Sequence, residues 1–195
     1  HFNFLSMLEM ADSSIAGIYN TIMKNTLGSF QAGIVDQAEP AVSATIDIYN
    51  RVREELLPTP LKSHYLFNLR DVASVIQGVL QCSPKKVKEP NDVIRIWAHE
   101  MSRVFSDRFT DQDDLKYFEG LLKTTVDEKF GVNYHDVVKD EHLVYCDFLV
   151  PGTDFENRVY EQAADMSALQ KLVVECLEDY NQQFVAMPLI LFTDA

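Results

Sequence analysis

Apolar residues recur at spacings of three and four along most of the chain, which is the period of an α-helix. The first such helix follows residues 12–14, Asp-Ser-Ser, whose side chains are predicted to cap it. Its apolar face carries Ile15, Ile18, Tyr19, Ile22 and Met23. The second helix has Pro40 in its first turn, where a missing N–H is tolerated, and ends before Pro58. Its inward positions are Val42, Ile46, Tyr49 and Val52.

Three further amphipathic helices are predicted between residues 68 and 130. Asn68 is predicted to cap the third helix, with Asp71 completing a capping box. The apolar stripe of this third helix is Val72, Val75, Ile76, Val79 and Leu80. The fourth helix, after Asn91, carries Ile94, Trp97, Ala98, Met101, Val104 and Phe105, and the fifth carries Leu115, Phe118, Leu121, Leu122 and Val126. We therefore expect a mainly α fold, built as a helical bundle.

The pattern changes after residue 130. Gly131, Asn133 and the polar end of residues 137–142 interrupt the helical period, so we place a boundary at 131–141 and divide the chain into 1–135 and 136–195. Residues 142–150 are apolar, aromatic and β-branched and are closed by Pro-Gly, which predicts a short strand or extended connector. A C-terminal helix then carries Leu169, Leu172, Val173, Cys176, Leu177 and Tyr180.

Composition and charge indicate a globular chain whose partners are neither nucleic acid nor membrane. Of the 195 residues, 47% are hydrophobic and 24% charged, which is enough apolar material for a buried core. The formal net charge of -13 opposes binding to a phosphate backbone or to an anionic membrane surface. No apolar run approaches the length of a membrane span.

The cysteines and the chain ends indicate the cellular compartment and the extent of the protein, and not a catalytic site. Cys82, Cys146 and Cys176 are odd in number and widely spaced, so we expect buried thiols in a reducing compartment and not a disulfide framework. The chain begins at His1 and not at methionine, and it ends in the apolar stretch MPLILFTDA (187–195). We therefore expect a piece of a longer protein.

No complete catalytic or metal-binding motif is present in the sequence. Residues 28–33 have the two glycines of a phosphate loop, but isoleucine and valine follow where the lysine and the hydroxyl residue are needed. His99 and Glu100 open a zinc-binding H-E-x-x-H pattern, but Arg103 stands in place of the second histidine. Catalytic and metal sites are therefore predicted to be absent.

Arg70 is the one cation whose position points to a ligand. It lies in the first turn of the third predicted helix, where unpaired N–H groups and the helix dipole favour an anion. Its planar, permanently charged guanidinium suits a phosphate. A surface ion pair, with Asp71 or another carboxylate, is the alternative interpretation of the residue.

Two segments carry a resemblance to a known family. The sequence LLPTPLKSHYLFNLRDVASVIQGVL (56–80) is similar to the small helical subdomain of the third AAA+ module in dynein heavy chains, and RIWAHEMSRVFSDRF (95–109) resembles the lid helix that follows. HFNFLSM (1–7) looks like the stretch after that module's arginine finger. The region from about 142 resembles the entry to the fourth module. The wording of 56–78 is most similar to axonemal inner-arm chains.

The resemblance implies which parts of an AAA+ module this chain supplies and which belong to the rest of a larger parent protein. Residues 1–135 become the helical lid of the third AAA+ module, and 136–195 the incomplete start of the next. Arg70 becomes the candidate sensor-II arginine, which contacts the γ-phosphate of a bound nucleotide. No cofactor is expected in the chain itself, which is not an enzyme in isolation, whereas ATP or ADP with Mg²⁺ is expected in the parent module.

The resemblance also implies partners and a cellular location. The partners are the rest of the dynein AAA+ ring, the microtubule through the stalk, and the intermediate and light chains through the tail. The location is the cytoskeleton, in the axoneme of a cilium, and the parent is an ATP-driven, minus-end-directed motor. The alternative from another class is a self-contained helical protein–protein interaction domain of an intracellular adaptor.

Overall fold

The structure, a computed structural model, describes residues 2–6, 8–139 and 143–190. Helices account for most of the ordered elements, as the hydrophobic periodicity predicts. In chain order the helices and strands are α1 (Asp12–Thr26), α2 (Ala32–Val35), α3 (Ala38–Glu55), α4 (Leu69–Val79), α5 (Pro90–Phe105), α6 (Gln112–Phe130), α7 (Tyr134–Val137), β1 (Tyr145–Cys146), β2 (Glu161–Gln162) and α8 (Met166–Gln183).

The core lies where α4 packs along α5 and where α3 packs between α1 and α6. Trp97 of α5 is completely buried at the centre of these helices. Its indole N–H donates to the hydroxyl of Thr45 at 2.8 Å, so the polar atom of the largest core side chain is satisfied. Its ring lies against Phe130, with centroids 5.2 Å apart. Trp97 thus joins α3, α5 and α6.

The apolar stripes predicted for α3, α4, α5 and α6 are confirmed. All the named positions of α3 and α5 are buried. Of the positions predicted for α4 and α6, all are buried except Leu80 and Leu115. These two are partly buried and pack against the core. The helix α5 begins at Pro90, slightly before the predicted start, because Pro90 occupies its first turn and Glu89 with Asp92 forms a capping box.

The prediction for α1 is right about the helix and wrong about its cap. Of its predicted apolar face, Ile15 and Met23 are buried and Tyr19 packs against the core, whereas the other two positions are exposed. The N-cap residue is Ala11, and no side chain caps the helix. The Asp12 carboxylate instead accepts a hydrogen bond from the Asn50 amide at 2.8 Å, so it fastens α1 to α3. Ile18 and Ile22 are 48% and 43% exposed, because α1 contacts α3 along only one side.

The last third of the described chain departs from the bundle. Gly131, with φ of 68°, ends α6 in the left-handed conformation that glycine adopts most easily. The predicted connector forms β1, which pairs antiparallel with β2, and His142 at its start lies outside the described residues. The predicted helix α8 is present, but none of its residues is buried. The division into 1–135 and 136–195 stays a prediction.

Candidate functional site

The segment between α3 and α4, residues 56–68, is tied down by side chains before it enters α4. The ammonium of Lys62 binds the carboxylates of Asp111, at 3.0 Å, and Asp114. The hydrogen bond with Asp114, above all, raises the pKa of Lys62. The hydroxyl of Tyr65 donates to Asp114 at 2.9 Å and accepts from the Thr110 N–H at 3.1 Å. The start of α4 is therefore held against the junction of α5 and α6.

The first turn of α4 is closed by the predicted capping box, which is confirmed. The side-chain oxygen of Asn68 accepts from the Arg70 N–H at 2.8 Å, and the Asp71 carboxylate accepts from the Asn68 N–H at 2.8 Å. These two bonds satisfy backbone donors that a helix start otherwise leaves unpaired. They also fix the direction in which the Arg70 side chain leaves the helix.

Arg70 is exposed, and its guanidinium forms no ion pair or hydrogen bond with any of the residues that the structure describes. The alternative prediction, an ion pair with Asp71, is wrong. The Asp71 side chain is 7% exposed, and its carboxylate binds the guanidinium of Arg108. Because Arg108 already neutralises this buried carboxylate, the charge of Arg70 is left without a partner within the described chain.

Arg70 borders a groove of about 610 Å³ between the start of α4, α3 and residues 9–15. On the α3 side, Arg53 pairs with Glu9 at 3.2 Å and lies over the ring of Tyr49, 5.6 Å from its centroid. Asp12 is hydrogen-bonded to Asn50, as described above. The other charged side chains along this groove are thus engaged, and Arg70 is the cation available to a ligand.

The arrangement favours binding an anion over catalysing a reaction. A helix start with its positive dipole end and an adjacent free guanidinium attract a phosphate or carboxylate. Residues 28–33, the incomplete phosphate loop, form a 3₁₀ turn and the beginning of α2, away from this groove. Within the described ranges, no group of three His, Cys, Asp or Glu side chains is placed to hold a metal ion. No helix of this part of the chain has the length and apolarity needed to cross a bilayer.

A second groove, of about 660 Å³, lies between α5, α6 and α7. It brings the cations of Arg103 and Lys123 together with the carboxylates of Asp107 and Glu119. Burial raises the pKa of the Asp107 carboxyl, which the nearby positive groups lower in part. Because charges of both signs line this groove, it offers no single ligand chemistry.

The cysteine prediction holds at two of three positions. Cys82 and Cys146 are buried and reduced, and burial raises the pKa of the Cys82 thiol to about 11. Neither is therefore a thiolate at neutral pH. Cys176 is exposed, contrary to the prediction, because no other part of the described chain covers that face of α8.

Sequence reasoning missed a buried carboxylate in α5. Glu100 is 1% exposed and binds Arg103 and Tyr160. The Nδ1 atom of the neighbouring His99 is hydrogen-bonded to the Leu143 carbonyl at 2.9 Å. The one signal in the sequence was Gly78 inside the pattern of α4, since a glycine inside a helix often marks a close approach. The partner at residue 160 lies too far along the chain for spacing to identify it.

Comparison with known proteins identifies the fold that carries these features. The family model of the AAA+ lid domain matches residues 41–145, more than half of the chain. The chain belongs to the AAA+ lid domain family. The matched region of the lid runs from α3 to β1 and includes the capping box and Arg70. The predicted AAA+ small-subdomain bundle is thereby confirmed.

The lid and its flanking residues are also similar to dynein heavy chains over the whole sequence. Identity is 40% with dynein axonemal heavy chain 1 of Mus musculus and 32% with dynein axonemal heavy chain 6 of Homo sapiens, in each case over all of this chain and 5% of the relative. It is 36% with the dynein-1-beta heavy chain of the flagellar inner arm I1 complex of Chlamydomonas reinhardtii, over 4% of that protein. The predicted resemblance to axonemal and inner-arm dynein heavy chains is confirmed. The chain spans about one twentieth of the length of these relatives.

Proposed function

We propose that this lid belongs to the third AAA+ module of an axonemal dynein heavy chain and that Arg70 is its sensor-II arginine. In this proposal a nucleotide binds between the lid and a large subdomain contributed by other parts of the parent. The guanidinium of Arg70 then contacts the γ-phosphate. The parent is an ATP-driven, minus-end-directed microtubule motor.

The observation that carries the proposal is the exposed guanidinium of Arg70, which has no partner among the described residues, at a fixed helix start. The capping box of Asn68 and Asp71 orients the first turn of α4, and the Lys62–Asp114 contact holds the preceding segment. The backbone that carries Arg70 is thereby fixed, so the helix start need not be ordered when a phosphate binds. The charge is not already neutralised by Asp71, which binds Arg108.

In this proposal the chain supplies one cation, Arg70, to the nucleotide. The lid as a whole moves when this contact forms. ATP or ADP with Mg²⁺ would be held mainly by the large subdomain, because the lid has neither a phosphate loop nor a metal-binding cluster among its described residues. Contact with Arg70 would draw the lid towards the phosphate. The nucleotide state would then be passed to neighbouring modules by movement of the lid, a form of domain closure.

The partners in this proposal are those that the resemblance to dynein heavy chains implies. They are the rest of the AAA+ ring, the microtubule through the parent stalk, and the intermediate and light chains through the parent tail. The location is the axoneme of a cilium or flagellum, since the relatives are named as axonemal, flagellar and ciliary chains.

The experiment is made in the intact heavy chain and compares Arg70→Ala with Arg51→Ala. Arg51 is an exposed arginine of α3 that pairs with Asp47 and does not border the groove. Loss of a charge-assisted bond to phosphate is expected to weaken nucleotide binding at this module by about tenfold to a hundredfold. Microtubule gliding should slow in Arg70→Ala and remain unchanged in Arg51→Ala. Equal nucleotide dependence and gliding speed in both variants would contradict the proposal.

A further inference from the structure

Glu100 of α5 is a buried carboxylate whose two oxygens serve different parts of the chain. One oxygen, Oε2, accepts from the Nε and Nη2 of Arg103 at 2.9 and 2.6 Å. The other, Oε1, accepts from the hydroxyl of Tyr160. A carboxylate with 1% exposure is costly to bury unless both oxygens are paired. Burial of the Glu100 carboxylate therefore depends on both Arg103 and Tyr160.

The backbone of α4 forms the third wall around this carboxylate. A Cβ atom at Gly78 would overlap the Oε2, Cδ and Oε1 atoms of Glu100, so the carboxyl group lies directly against the helix. Gly78 is buried and lies roughly two helical turns beyond Arg70 on the same helix. The Glu100 carboxylate is thus in direct contact with α4, the helix whose first turn contains Arg70.

Tyr160 connects Glu100 to the segment 143–163, which contains β1 and β2. Tyr160 is 8% exposed, and it forms a parallel bridge with Cys82, three residues after the end of α4. Burial, followed by the bond with Glu100, raises the pKa of Tyr160, so the hydroxyl stays protonated and remains a donor. The ion pair of Lys86 with Glu161 lies beside it and is more exposed.

We propose that Glu100 is a latch that makes segment 143–163 move as one rigid body with α4 and α5. The latch consists of Glu100, Arg103, Tyr160 and the space left by Gly78. Its contacts extend the part of the lid that moves together to Ala163, three residues before the start of α8. This inference deepens the proposed function, because it gives the route by which a displacement of α4 would reach the start of α8.

The test uses this chain alone and without nucleotide, so its result does not depend on the role of Arg70. Hydrogen exchange is measured for the Ala163 amide, which donates to the Val144 carbonyl at 2.9 Å, and for the Val126 amide in α6. The variant Tyr160→Phe removes only the hydroxyl that binds Glu100. The matched control is Tyr117→Phe, which removes a hydroxyl from a tyrosine that is 37% exposed on α6.

The latch predicts that Tyr160→Phe accelerates exchange at Ala163 by at least about tenfold, while Val126 stays within about twofold of the unmodified chain. Tyr117→Phe should change neither amide. Two results would overturn the proposal. One is an Ala163 amide whose exchange stays within about twofold in Tyr160→Phe. The other is equal acceleration at Ala163 and Val126, which would mean that the bond contributes only to global stability.

A second pair of variants tests whether Glu100 and Tyr160 act through one another. Glu100→Gln keeps the shape of the side chain and removes its charge, and it is combined with Tyr160→Phe. In a latch the two changes are non-additive, so the double variant should exchange at Ala163 no more than about twofold faster than the faster single variant. Multiplication of the two accelerations would contradict the coupling. If Glu100→Gln does not fold, Tyr160→Phe and its control decide the matter alone.

Discussion

Adjacent residues at the start of α4 have separate tasks. Asn68 and Asp71 use their side chains inside the lid, where they close the first turn. Arg70, between them, extends its charge into the groove and forms no bond with another described residue. If Arg70 contacts a ligand as proposed, stability and ligand contact belong to different side chains, and substitutions should separate them.

The first prediction compares Asn68→Ala with Arg70→Ala in this chain. Asn68→Ala removes an N-cap and is expected to lower the free energy of unfolding by about 1 kcal/mol. Arg70→Ala removes an exposed side chain with no partner among the described residues and is expected to change this free energy by less than about 0.5 kcal/mol. Urea denaturation followed by circular dichroism measures both. A loss in Arg70→Ala as large as that in Asn68→Ala would show that Arg70 is bound within the lid.

The second prediction concerns the glycine that touches Glu100. Replacing Gly78 by alanine would place a methyl group where the carboxylate lies, so the variant is expected to lose about 1–3 kcal/mol of unfolding free energy. Gly120 of α6 is the matched control, because a Cβ there meets nothing within 4 Å. Gly120→Ala should stabilise the chain by up to about 1 kcal/mol, since alanine has the higher helix propensity. Opposite signs are the expected outcome, and two stabilising changes would refute this account of Gly78.

At the scale of elements, hydrophobic spacing predicts the helices well because each helix needs only local information to reveal its apolar stripe. The starts of α3 and α4 follow from Pro40 and Asn68, whose preferences act within one turn. Burial is harder to predict, since it depends on which other element covers the stripe. Ile18 in α1 and Cys176 in α8 are apolar at helical spacing, yet both are exposed.

The candidate site shows the same limit. The capping box of Asn68 and Asp71 spans three residues and is visible in the sequence, so the position of Arg70 could be predicted. The pairing of Asp71 with Arg108 and that of Glu100 with Tyr160 join residues far apart in the chain. Such contacts depend on how α4, α5 and β2 pack, and no local spacing encodes them. For that reason the sequence left an Arg70–Asp71 ion pair open.

The third prediction concerns the link between α5 and the start of segment 143–163. Burial lowers the pKa of His99, although the nearby Glu100 opposes the shift. The folded chain therefore takes up a proton less readily than the unfolded chain. Stability should fall as the pH drops below the ordinary histidine value of 6.5, by up to about 1.4 kcal/mol per pH unit, and be unaffected by this group above it.

Substitution of the histidine tests this assignment. Urea midpoints between pH 7.5 and 5.5 are compared for the unmodified chain, His99→Gln and His135→Gln, the last being an exposed residue of α7. His99→Gln should reduce the pH dependence over this range, and His135→Gln should leave it as it is. A slope that persists in His99→Gln would assign the dependence to another group.

At the scale of the whole molecule, the lid is a packed helical core with two surfaces that the described chain leaves exposed. The core joins α3 to α6 around Trp97, and it carries the groove beside Arg70 on one side. Ile18 and Ile22 of α1 are exposed, and no residue of α8 is buried by the described part of the chain. In the proposed motor, the groove receives the nucleotide, and movement of the lid transmits its state.

The central claim is that the guanidinium of Arg70 reaches the phosphate of a nucleotide bound at this module. A cryo-EM structure of the intact heavy chain with nucleotide in that module tests it most directly. The account predicts a distance of about 2.7–2.9 Å between a guanidinium nitrogen of Arg70 and the nearest phosphate oxygen. It also predicts that Asp71 still binds Arg108 in that state. A closed, nucleotide-bound module in which Arg70 faces solvent, or pairs with a carboxylate and not with the phosphate, would contradict the claim.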